Sequence, residues 1–240
     1  MGRHGRLIAL EGRSASGKTT LVQAAARSLG WVPLAEAFDR LDPAPSLEFR
    51  SVAELLRIEG TLLAEESRRY HEARELCSRG RTVLADTGFL GPVTYTFGLV
   101  DLGVVPASVR SPIERSARSL VRRGHLGIPD LTVYLDTTVR ERGRRAQADP
   151  VHHPSALVRR HEAVGAFEQR YFANAFPVSM PGRFESLRAR SVPRSLVKEL
   201  RGLVEERAPL PASRSEALSL LALLRTRRES APKRAGVPNR

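Results

Sequence analysis

The chain has 240 residues, 41% of them hydrophobic, and a formal net charge of +13. That length suits one α/β domain with room for a small appendage, and a single cysteine, Cys77, excludes an internal disulfide framework and fits a reducing compartment. No apolar run nears the length of a bilayer span and no leader pattern opens the chain, so a soluble, cytoplasmic protein with no membrane partner is expected.

Leu7 to Leu10 read as a buried strand, followed by Glu11 and then Gly12-Arg13-Ser14-Ala15-Ser16-Gly17-Lys18-Thr19-Thr20. Gly, four residues, then Gly-Lys-Thr is the phosphate-binding loop pattern, here with the strand before it that the pattern requires. Gly12 and Gly17 permit backbone turns that aim successive N–H groups at a phosphate. Lys18 is placed to reach β- and γ-phosphates and Thr19 to ligate Mg²⁺. The chain has only three lysines, Lys18, Lys198 and Lys233, and one fills this slot. Lys18 to Leu29 follows as a helix, with Leu21, Val22, Ala25, Ala26 and Leu29 on one face; its N-terminus favours an anion.

Trp31 to Glu36 reads as a second strand and Asp39 to Ser46 as a proline-containing loop. Leu47 to Arg79 has helical periodicity, with Gly60 as a potential break and Gly80 as a stop. Cys77 sits beside Leu76 in this helix and reads as buried filler. Arg81 to Asp86 is a third strand ending in an acid. Leu90 to Val100 and Ser111 to Arg123 read as helices, each with a proline near its start. Leu131 to Asp136 is a fourth strand, and Thr137 to Ala146 a strongly basic helix. A loop over 149–154 leads to a helix over Ser155 to Ala175. A weakly signalled strand over Arg183 to Ala189 and a helix over Val192 to Arg207 complete the alternation. Strands alternating with helices predict a parallel sheet covered on both faces. The residues from 208 onward read as a linker (208–212), a short amphipathic helix from Ser215 to Arg228, and a basic, disordered tail. The division is thus a 1–207 domain with an arginine-bearing lid near 140–155, then an appendage over 208–240.

In open parallel sheets ligands bind at the C-terminal strand ends, which nominates Glu11, Glu36, Asp86 and Asp136. Asp86 is a candidate Mg²⁺ ligand, with a helix N-cap as the alternative. Glu36 is a candidate general base, with a solvated loop acid as the alternative. Glu11 pairs with a cation near the loop and is given no catalytic role. Arg140, Arg142, Arg144 and Arg145 offer planar forks for phosphate oxygens, or form a solvated basic face. His152 and His153 lack partners of metal-ligating type and read as loop histidines. The charge excess has two readings: a phosphorylated small ligand, or nucleic acid touched by the basic tail. Aromatics are not interleaved with the basic clusters, so a stacking platform for single strands is not indicated.

Several of these segments, in order, resemble the thymidylate kinase and deoxynucleoside kinase group of phosphate-loop kinases. Leu10-Glu11-Gly12 through Gly17-Lys18-Thr19-Thr20 is similar to their apolar-Glu-Gly loop ending Ser-Gly-Lys-Thr-Thr. Asp86 through Tyr95 resembles the thymidylate kinase stretch Asp-Arg-Tyr, then Ser, then Ala-Tyr-Gln. Pro129 to Asp136 is similar to their Pro-Asp, apolar, Tyr-Leu-Asp strand, Arg145 falls where their lid arginines begin, and Arg170-Tyr171 echoes a later Arg-x-x-Tyr helix. The resemblance implies a P-loop NTPase three-layer α/β sandwich and a nucleoside or nucleotide kinase using ATP and Mg²⁺. On that reading Gly12, Arg13, Ser14, Ala15, Ser16, Gly17, Lys18, Thr19 and Thr20 hold the nucleotide, and Thr19 and Asp86 organise Mg²⁺. Arg144 and Arg145 close over the transferring group, Glu36 or Asp86 is the base, and Phe38, Arg68, Phe89 and Tyr95 line the acceptor pocket. Three positions depart from thymidylate kinases: Ser14 for the loop acid, Thr87 for the Arg of Asp-Arg-Tyr, and Thr96 for the base-reading Gln. The expected acceptor is therefore a nucleoside, an unusual nucleotide or another hydroxylated small molecule rather than dTMP. A nucleic-acid-associated NTPase and a nucleotide binder without transfer activity are the alternatives, and a homodimer is left open.

Overall fold

The computed structural model describes residues 5–45, 48–148, 155–180, 182–189, 193–207 and 213–226. The loop expected over 149–154, with His152 and His153, the 208–212 linker and the basic tail from 227 lie outside them.

Five strands, β1 (Leu7–Glu11), β2 (Val32–Leu34), β3 (Val83–Asp86), β4 (Leu131–Asp136) and β5 (Phe184–Arg188), form one sheet in the order β2-β3-β1-β4-β5. Each pairing is parallel, with Ala9 opposite Ala85 on one side and Thr132 on the other. The central strands are apolar runs because both faces are covered. Ile8, Leu10, Leu84, Leu131, Val133 and Leu135 face α1 (Lys18–Leu29) and α8 (Pro193–Glu205). Leu7, Ala9, Val83, Ala85 and Tyr134 face α2 (Val52–Ser78), α3 (Gly91–Asp101) and α4 (Arg110–Arg123). The remaining α-helices among the described residues are α5 (Val139–Ala148), α6 (Ser155–Arg170), α7 (Phe176–Ser179) and α9 (Arg214–Thr226).

Differences from the expected elements have local causes. β2 is shorter than Trp31 to Glu36. It is an edge strand and contains Pro33, which donates no ladder hydrogen bond, so Glu36 lies two residues past its end. α2 starts at Val52 because Ser51 caps it, its hydroxyl accepting from Glu54 N–H at 3.1 Å while Glu54 accepts from Arg50 N–H at 2.6 Å. Gly60 is exposed within α2 and does not break it. The helix expected over Ser155 to Ala175 passes at Tyr171–Ala175 into a π turn that joins α6 to α7.

α9 packs into the main core rather than projecting as an appendage. Ala217, Leu220 and Leu221 are fully buried, and Leu224 nearly so, against the core of α2, α4 and the sheet. Arg183, buried after α7, donates to both carboxylate oxygens of Glu216 at 2.9 and 3.2 Å. The Tyr171 hydroxyl donates to Leu220 O at 3.1 Å. Leu221→Ala is therefore expected to destabilise the chain by about 2–5 kcal/mol in urea denaturation, as for a core leucine, whereas a helix outside the core would register almost no change.

Candidate active site

β1 delivers Glu11 and the loop to the C-terminal edge of the sheet. Gly12 has φ +148°, and a Cβ there would fall 2.9 Å from Leu135 O and 3.0 Å from Ser16 Oγ, so no other residue fits without displacing the backbone of β4. Gly17, at φ +97°, is the N-cap of α1, and no side chain caps that helix. Its first-turn N–H groups thus face the loop interior, where an anion is favoured. Lys18 Nζ spans the loop and donates to Gly12 O at 2.9 Å.

Thr19 Oγ1 donates to Asp86 Oδ2 at 2.5 Å. Asp86, at the end of β3, is buried, and its Oδ1 has no hydrogen-bond partner among the described residues. A hydroxyl and a carboxylate with an open oxygen suit Mg²⁺, which takes one or two protein oxygens and leaves the rest to phosphate and water.

The turn after Asp86 is strained and held from two directions. Thr87 has φ +66°, a rare conformation for a β-branched residue. Gly88 N–H donates to Glu11 Oε1 at 2.8 Å, and a Cβ on Gly88 would come within 2.6 Å of that oxygen. Arg69, fully buried on α2, donates to Asp86 O at 2.9 Å and Thr87 O at 3.5 Å. Its guanidinium pairs with Glu66 one turn earlier and lies 5.4 Å from the Phe89 ring centroid.

Three carboxyl groups, those of Glu11, Glu36 and Glu168, feel the charge of Lys18. Burial pushes the Glu11 carboxyl up to about 8, with Glu168 adding repulsion and the Gly88 N–H and Lys18 opposing it. Glu168, on α6, accepts from Thr94 Oγ1 of α3 at 3.1 Å. Its carboxyl is raised to about 7, again chiefly by burial. Glu36 is also raised by burial, with Lys18 lowering it and Asp86 raising it. Glu66, behind this group, is raised to about 7 by burial against the pull of Arg69.

Above the loop, Arg145 donates to Ser16 O, and its Nη1 lies 3.0 Å from where a Gly17 Cβ would be. Arg144 and Arg140 are exposed. Arg142 is buried and donates to Thr137 O, so it braces the start of α5. Arg13 reaches α6, its Nη1 3.4 Å from Gln169 Oε1 and its Nε 3.2 Å from where a Gly165 Cβ would be.

The structure thus brings Lys18, Thr19, Asp86, Glu36 and Arg145 together. The four residues expected to line an acceptor pocket are dispersed. Phe89 is core, against Arg69 and Tyr70. Arg68 is turned to solvent and paired with Glu65. Phe38 packs beside Ile58 and Leu62, and Tyr95 beside Leu55, Leu99 and Val164. Glu168, Thr94, Glu66 and Arg69, which the sequence did not single out, lie beside these residues, and Glu11, besides feeling the charge of Lys18, accepts from Gly88 N–H. The signal for Glu66 and Arg69 was their place in the apolar stripe of α2 with Leu62, Leu63, Tyr70 and Ala73. Glu168 lies one turn from both Val164 and Tyr171 on the buried side of α6.

No protein-family model matches the sequence, and no curated protein does. Among solved structures the chain is similar to a deoxyadenosine kinase from M. mycoides with bound dATP, at TM-score 0.65 and 15% identity over 82% of this chain and 98% of the other. The same enzyme with products dCMP and a flexible dCDP bound gives 0.61 and 14%, and with dCTP 0.56 and 13%, each over 83% and 98%. Together with the five-stranded parallel sheet and the loop after β1, this makes the fold that of a P-loop NTPase.

The raised carboxyls carry a stability signature. Folded Glu11 and Glu168 keep their protons up to about 8 and about 7, against 4.5 for an ordinary glutamate. Between those values the folded chain binds more protons than the unfolded one, so stability falls as pH rises. Thermal denaturation without nucleotide should show Tm dropping from about pH 5 to about pH 8. The double variant Glu11→Gln, Glu168→Gln should flatten that drop, and an unaltered profile would remove the pair as its cause.

Proposed function

We propose that the chain is an ATP- and Mg²⁺-dependent kinase that moves the γ-phosphoryl group to a hydroxyl of a nucleoside or a related small molecule. The observation that carries this reading is the Thr19 hydroxyl bonded to Asp86, whose other carboxylate oxygen is open, with Glu36 two residues past β2 at the same C-terminal edge of the sheet. A hydrolase needs only the loop and a water, whereas a carboxyl of raised affinity for protons at that edge suits an acceptor hydroxyl.

The roles then separate. Asp86 Oδ2 is engaged by Thr19 and its backbone by Arg69, which fits Mg²⁺ organisation; the ion supplies charge neutralisation at the β- and γ-oxygens. Glu36 is left as the base. It takes the acceptor proton as the acceptor oxygen bonds to the γ-phosphorus and the bond to the ADP oxygen breaks. Lys18 and the loop N–H groups hold the charge, and Arg145, already against Ser16 O, stabilises the transferring group. Arg144 follows it from the exposed face of α5 when the helix closes.

The fold likeness to deoxyadenosine kinases supports deoxynucleosides as the first acceptors to try. The hydrogen-bonding character of these carboxyl groups supports a hydroxylated, uncharged acceptor. Glu11 and Glu168, raised by burial, can bond a hydroxyl, and the buried Arg69 is bonded to Glu66 and to the carbonyls of Asp86 and Thr87 rather than to a phosphate.

Transfer from labelled ATP across nucleosides and nucleoside monophosphates, with Mg²⁺, tests the reading. Lys18→Ala should lower kcat/KM by about 10²-fold or more, and Glu36→Gln should lower kcat by about 10²–10⁴-fold with nucleotide affinity retained. ATP hydrolysis that no acceptor stimulates, with or without added DNA or RNA, would sink the kinase reading; stimulation by nucleic acid alone would replace it with a nucleic-acid-associated NTPase.

A further inference from the structure

Away from the P-loop, two histidines meet on the surface. His71 Nε2, on α2, lies 2.9 Å from His125 Nδ1, in the connection between α4 and β4. Their rings are 5.1 Å apart at 65°, and both residues are exposed.

The backbone at both positions is fixed. α4 ends in a left-handed Gly124, with Gly124 N–H donating to Val121 O at 3.0 Å and His125 N–H to Leu120 O at 2.9 Å. That is the paired closure of a Schellman motif, and His125 occupies its second position beyond the helix. On the other side, α2 is buttressed by the same connection at the residues next to His71. The Tyr70 hydroxyl covers Gly127, where a Cβ would fall 2.4 Å from its oxygen, and Arg74 Nη1 bonds Asp130 Oδ1 at 3.0 Å. The two imidazoles are therefore presented to each other by a scaffold that neither has to order.

We propose that His71 Nε2 and His125 Nδ1 form a bidentate site for a divalent transition cation of the zinc, nickel and copper class. Bonds of about 2.0–2.1 Å place two ligating nitrogens about 2.9 Å apart at a right angle and about 3.3 Å apart at the tetrahedral angle. The observed separation already lies at the edge of that range. Imidazole nitrogens select such ions over Mg²⁺, whose site at Thr19 and Asp86 offers only oxygen. Each ring binds through the nitrogen that faces its partner and keeps its proton on the other one, so the hydrogen between the rings moves by tautomeric exchange and no net charge is displaced. No third His, Cys, Asp or Glu joins the pair among the described residues, so water completes the coordination sphere. Bound metal ties the 124–130 connection to α2, the helix that carries Glu66 and Arg69.

The test is calorimetric titration of the metal-free full chain with ZnCl₂ and separately NiCl₂, alongside thermal denaturation, with MgCl₂ as the hard-cation control. One equivalent should bind and raise Tm. His71→Ala and His125→Ala should each weaken binding by about 10–100-fold or more, the range for disturbing a metal ligand's surroundings, with Tm in EDTA unchanged because both side chains are exposed. Binding that survives either substitution belongs to other histidines and overturns the assignment. So does the absence of Zn²⁺ and Ni²⁺ binding in the unsubstituted chain, which would leave the pair as a neutral imidazole hydrogen bond. One metal per two chains would overturn the intrachain site as well.

Discussion

One ammonium set in the field of three buried carboxyl groups is the constraint on which the rest of the structure depends. Lys18 opens α1, and Glu11, Glu36 and Glu168 feel its charge from β1, the segment after β2 and α6, while Asp86 of β3 is bonded to the neighbouring Thr19. Charges removed from water must be balanced by partners or by protons. Here the balance is incomplete: burial and mutual repulsion hold Glu11 and Glu168 well above the ordinary carboxyl range. Such a site favours groups that bring positive charge or hydrogen bonds to its carboxyl oxygens. The cost is carried by a sheet whose central strands are buried on both faces.

Holding that geometry requires a rigid turn after β3. Thr87 in a left-handed conformation is unfavourable, and it persists because its neighbours over-determine it. Glu11 fixes Gly88, Arg69 fixes the carbonyls of Asp86 and Thr87, and Glu66 and the Phe89 ring fix Arg69. A lysine in place of Arg69 could not satisfy two carbonyls and a carboxylate together, since it lacks the planar fork.

The parts legible from sequence were those whose physics is local. The loop from Gly12 to Thr20, α1, β3 and β4 depend on glycine freedom, helical spacing and short apolar runs, and their positions match closely. Arg68 and Arg69 show where this stops. Both are arginines in the same turn of α2, and only the helix's rotation against the sheet decides that Arg69 enters the site while Arg68 meets solvent. Glu168 is 157 positions from Glu11 in the chain, and their meeting is a product of topology alone. α9 reads as an appendage because a linker with two prolines precedes it, yet its leucines complete the core between α4 and the π turn.

β1 is pinned at both ends, and this links the core to the chemistry. At its start, Leu7 N–H donates to Asp130 Oδ2 at 2.8 Å, Asp130 N–H donates back to Leu7 O at 2.8 Å, and Arg74 of α2 holds the other carboxylate oxygen. At its end, Glu11 grips Gly88 and so the turn that Arg69 of α2 also holds. A slip of one residue would turn Leu7 and Ala9 to the wrong face and carry Gly12 and Lys18 about 3.3 Å along the sheet. α2 contacts both ends through Arg74 and Arg69, five residues and about 7.5 Å apart along the helix. The same helix that closes the core against Asp130 therefore sets the depth at which the loop stands relative to Asp86, and with it the distance between Thr19 and the carboxylate it needs.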